Sequence, residues 1–180
     1  MRAGGWYPNR MSPSPDAFAS WHDFYILLGT ASATLVGLLF VAASVSAGVF
    51  TSDRRAPLRV FLSACVVNFS LILASCLIVL LPATGRLWSG VMILAGGTFG
   101  LAHSGLALRD TFRDGLITAI DLEDRVWYIA LPVVGYLGVA AAGVVLALRM
   151  DVGPAALAAS VGLLLVIGIH NAWIITRRRG

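Results

Sequence analysis

Four imidazole or carboxamide side chains interrupt the apolar stretches of this 180-residue chain: Asn68, His103, His170 and Asn171. An imidazole changes charge near neutral pH, so it can relay a proton or ligate a metal. A carboxamide both donates and accepts, so it can hold a solute or a neighbouring helix. His22 and Asp23 stand at the head of the first apolar stretch, where they can cap a helix or take up protons at a pore mouth. Asp121, Glu123 and Asp124 lie in the long polar connection and can attract cations or engage a partner. No catalytic residue is singled out. The sequence has no Gly-x-Ser-x-Gly and no phosphate-binding loop, and Ser104 is only a sequence neighbour of His103. Cys65 and Cys76 lie eleven residues apart, which on a helix separates them by about 16 Å. That is too far for a disulfide.

The elements that must carry these residues are five apolar runs, Phe24–Phe50, Leu58–Leu81, Leu87–Leu108, Val126–Leu148 and Ala155–Ile175, each 21 to 27 residues long. A bilayer's hydrocarbon core takes about 20 helical residues to cross. Only 12% of the residues are charged, against about 25% in a soluble domain. The expected fold is therefore all-α: a single transmembrane domain over residues 1–180, built as a polytopic bundle of five spans. The third run, residues 87–108, contains five glycines and His103, so it is the one where a broken or re-entrant helix competes with a continuous span. The polar connection is Arg109–Arg125; its acid–arginine spacings suit a solvated helix.

Thirteen arginines and no lysine carry the basic charge. With five spans, Arg2, Arg10, Arg86 and Arg149 fall on one side and the other nine on the opposite side. Excess arginine marks the cytoplasmic face, which puts the N-terminus outside and the C-terminus inside. Trp21 and Trp88 at outer span ends, with Trp127 and Trp173 at inner ones, fit the interfacial preference of tryptophan. The arginines are scattered along span ends without a basic patch, so nucleic acid is not an expected partner. No signal peptide is visible, and Met11 competes with Met1 as the start.

Small residues let membrane helices approach closely. Gly29, Ala33 and Gly37 predict such a face in the first run. Gly96, Gly100 and Ser104 do so in the third, Gly135, Gly138 and Ala142 in the fourth, and Ala158 and Gly162 in the fifth. A homo-oligomer is expected from these faces. Counting from the span ends puts His103 and His170 at one depth. Three uses compete for the polar set: helix-to-helix hydrogen bonds, a proton or ion path, and axial ligation of a b-type haem by His103 and His170. No resident cofactor or metal is expected apart from that haem alternative. No Asp or Glu lies at mid-depth, which disfavours a carboxylate-driven antiporter.

The stretches Trp21-His22-Asp23-Phe24-Tyr25, Leu35-Val36-Gly37-Leu38-Leu39-Phe40-Val41-Ala42 and Gly168-Ile169-His170-Asn171-Ala172-Trp173 resemble a group of short, uncharacterised multi-span bacterial membrane proteins. The resemblance covers the whole chain and implies a bacterial inner (cytoplasmic) membrane home, with no activity or ligand. The expected function is an oligomeric channel-like or transport-related protein, not an enzyme. The alternatives are a non-catalytic membrane subunit docking a larger membrane complex and a haem electron carrier.

Overall fold

The computed structural model describes residues 19–49, 52–81, 85–113, 127 and 130–177. Among them the chain is all-helical, with five long helices and no strand. A single 3-10 turn, Ala19–Trp21, leads into α1, His22–Val49; α2 is Ser52–Leu80, α3 Arg86–Arg113, α4 Leu131–Ala147 and α5 Gly153–Arg177.

Each helix overlaps one apolar run, and the boundaries differ; α4, Leu131–Ala147, is shorter than its run, Val126–Leu148. α2 starts six residues before its run and takes in Arg54 and Arg55. α3 continues through Arg109 to Arg113, so the first five residues of the expected connection are helical; Asp110 and Arg113 have the three-residue spacing that supports a helix. α4 proper begins at Leu131 with a proline in its first turn, where the missing N–H has no intrahelical role. α3 is one unbroken helix, which settles the competition over the third run in favour of continuity.

α2, α3, α4 and α5 form a ring in which each helix packs on the next and α5 returns to α2. The tightest seam is α3 on α4. α1 lies outside the ring against α2, with a slight contact to α5. Phe69, Ile72, Ile93, Leu146, Leu157 and Leu164 are among the fully buried side chains. The Tyr25 hydroxyl donates to the Pro154 carbonyl at 2.6 Å, tying the head of α1 to that of α5. At the same end Arg86 Nη1 lies 3.4 Å from both the Arg149 carbonyl and an Asp151 carboxylate oxygen.

The outer surface is apolar. Leu27, Leu38, Phe40, Val41 and Val45 of α1 are all more than half exposed, and Leu106, Leu148 and Trp173 are equally open. Among the described residues two stretches are long and apolar enough to cross a membrane, His22–Val45 and Gly153–Trp173, and Ala64–Leu80 and Leu131–Ala147 are shorter apolar ones.

Candidate functional site

The ring closes around a polar knot made by Asn68. Its amide nitrogen donates to the Leu164 carbonyl at 3.1 Å, and its oxygen accepts from the Tyr136 hydroxyl at 3.0 Å. One side chain of α2 thereby joins α4 and α5. Two glycines make room. A Cβ on Gly168 would sit 2.7 Å from the Asn68 amide nitrogen and from the Phe69 ring, and one on Gly135 would sit 2.5 Å from the Leu164 side chain. Both polar ends of Asn68 and the Tyr136 hydroxyl are thus satisfied by protein, as buried polar groups require. Tyr136 was not among the residues singled out from sequence. The available signal was a phenol in the middle of an apolar run, flanked by Gly135 and Gly138.

Beside the knot, Leu71, Ile72, Ser75, Gly96, Tyr136, Val139, Val161 and Leu164 from all four ring helices meet without leaving room for a water molecule. The Ser75 hydroxyl there turns back to the Leu71 carbonyl at 2.8 Å.

The two imidazoles do not meet. His103 is half-buried on α3, its ring 6.4 Å from that of Phe99 and tilted by 32°. His170 stacks on Trp127, with ring centroids 3.6 Å apart and planes 20° from parallel. α3 and α5, which carry them, occupy opposite corners of the ring. Among the described residues no group of three or more His, Cys, Asp or Glu comes together. His170 Nδ1 and Asn171 Oδ1 are buried and lack a hydrogen-bond partner among the described residues, as does Ser32 Oγ on α1. Ser32 was not anticipated from sequence.

His22 and Asp23 do lie together, with 3.3 Å between Nδ1 and Oδ1, and both are exposed at the head of α1. An exposed pair of this kind contributes little to stability. Asp121, Glu123 and Asp124 lie outside the described residues.

The expected small-residue faces are rearranged. On α1, Gly29 packs on Cys76, but no described residue approaches Gly37, and Ala33 is exposed. α3 meets α4 through Gly90, Gly97 and Gly100. α4 divides its small residues: Gly135 and Gly138 face α5, while Ala140, Gly143 and Ala147 face α3. Compared with known protein families, curated proteins and solved structures, the chain matches none.

Proposed function

We propose that this is a five-span integral protein of a bacterial inner membrane, oriented with its N-terminus outside. In that membrane it acts as a non-catalytic helical subunit that works by contact with other membrane-embedded protein. Membrane placement is supported by α1, a helix long and apolar enough to span whose spanning stretch is only 17% buried. Soluble proteins rarely leave contiguous apolar surface of that extent open to water. The role is carried by one observation: the packed ring interior, where Asn68, Tyr136 and the Leu164 carbonyl saturate one another beside a centre with no room for water. A polar group spent on holding helices is not free to pass a solute.

Reconstituted in liposomes, the protein is expected to raise proton, potassium and small-dye flux no further than protein-free vesicles. Flux above that background would overturn the subunit role.

An oligomeric channel is the second reading, favoured by the open row Thr30, Ala33, Thr34 and Gly37 on α1. The Thr30 and Thr34 hydroxyls bond back to the Ile26 and Thr30 carbonyls at 2.8 and 2.9 Å. The row is therefore flat and suited to close helix contact. Its conduit would lie between copies. With Cys65 and Cys76 replaced by alanine, oxidation of an Ala33→Cys variant in membranes distinguishes the two. Self-cross-linked dimers that vanish with Gly37→Leu support the channel, and monomers alone support the subunit.

A further inference from the structure

We infer that the corner where α3 begins and α4 turns into α5 binds the phosphate of an anionic phospholipid, with Arg149 as its principal contact. This rests on the proposed membrane placement, which puts the corner at the outer surface.

The turn itself carries the first observation. Arg149 N–H donates to the Leu146 carbonyl at 2.9 Å, and Met150 N–H to the Val145 carbonyl at 3.1 Å. These bonds close a helix C-terminus whose next residue must adopt a left-handed backbone, a position glycine fills freely. Arg149 occupies it, with φ 61°, the single non-glycine residue of positive φ among those described. The chain has 19 glycines to spare for such places. A cation does complement a helix C-terminus. The same benefit is available one position earlier, at Leu148, in right-handed backbone. The placement of an arginine at the strained position, at the end of the bundle poorer in arginine, points to a use for its guanidinium.

The surroundings say what that use is. Arg86 is held beside the turn by the Arg149 carbonyl and Asp151, so its charge is offset. The Arg149 side chain is exposed and its guanidinium engages no described residue, which leaves the corner with one net positive charge. Leu148, Met150 and Val152 alternate with Arg149 and Asp151 and are at least half exposed. Such a segment rests its apolar side chains in the acyl boundary and lifts its arginine to the phosphates. A guanidinium fork matches phosphate oxygens in pairs.

Native mass spectrometry of the full chain in mild detergent, with added phosphatidylglycerol or phosphatidylcholine, tests this. Wild type is expected to retain phosphatidylglycerol preferentially. Arg149→Gly suits the backbone, so it is expected to keep or raise the thermal midpoint while weakening that retention about fivefold. Arg109→Gln, at the opposite end of α3, should change neither. Equal retention of the two lipids by wild type, or undiminished retention by a folded Arg149→Gly, would overturn the inference. The assay is indifferent to sidedness, so an error in the proposed topology would leave its result unchanged.

Discussion

Gly143→Leu is expected to part α3 from α4 and to be among the most damaging single changes in this molecule. A Cβ on Gly143 would lie 2.5 Å from the Leu94 nitrogen and 2.9 Å from the Gly90 carbonyl oxygen. A Cβ on Gly90 would lie 2.5 Å from the Ala147 nitrogen and 2.7 Å from the Gly143 oxygen. These are backbone atoms of the facing helix, so no flexible side-chain tip can move aside, and the helices themselves must separate. Overpacking a well-packed core typically costs about 1–3 kcal/mol. Gly143→Ala belongs at the upper end of that range, and leucine well beyond it. The control is Gly37→Ala. No described residue approaches Gly37, and alanine is favoured over glycine inside a helix by about 1 kcal/mol, so this variant should be neutral or more stable. Thermal unfolding in detergent micelles reads both changes. A Gly143→Ala protein as stable as Gly37→Ala would mean the α3–α4 seam is not packed as described.

Asn68→Leu should be the costliest polar change. It leaves the Tyr136 hydroxyl buried without its Asn68 partner and removes the Asn68 side-chain bond to the Leu164 carbonyl. Stranding a buried polar group costs about 1–3 kcal/mol. The informative experiment is the double-mutant cycle with Tyr136→Phe, which removes the stranded hydroxyl as well. The double variant should be less destabilised than the sum of the singles by about 1 kcal/mol, the scale of side-chain hydrogen bonds between membrane helices. Strict additivity would show that the Asn68–Tyr136 bond carries no energy.

Why these two positions matter could be read only partly from sequence. All five helices were legible, because an apolar run bounded by arginine, proline and glycine announces itself in composition. Depth is an expectation counted along one helix, and rotation about its axis needs the packed fold. His103 and His170 sit at one counted depth yet occupy opposite corners of the ring, because the rotation of each helix is fixed by packing across the whole bundle. The same limit applies to the glycines. Gly135 and Gly138 do share one face, toward Leu164 and Ser160, but a second small-residue face of α4, where Leu94 abuts Gly143, was not read. Asn68 was conspicuous as a carboxamide in an apolar run, whereas Tyr136 was not, since a phenol is unremarkable there until its partner is known. The pairing of Arg86 with Asp151 depends on a fold that brings two distant turns to one end. Arg149 betrays nothing until its φ is known.

Lipid as the solvent of this bundle, with His22, Arg86 and Asp151 at its outer end, is the claim on which the rest depends. Single cysteines test it in intact bacterial cells once Cys65 and Cys76 are replaced by alanine. A membrane-impermeant thiol reagent should label Met150→Cys from outside, and should reach Arg109→Cys only after the cells are opened. Labelling of both positions from outside, or recovery of the chain in the soluble fraction, would contradict it.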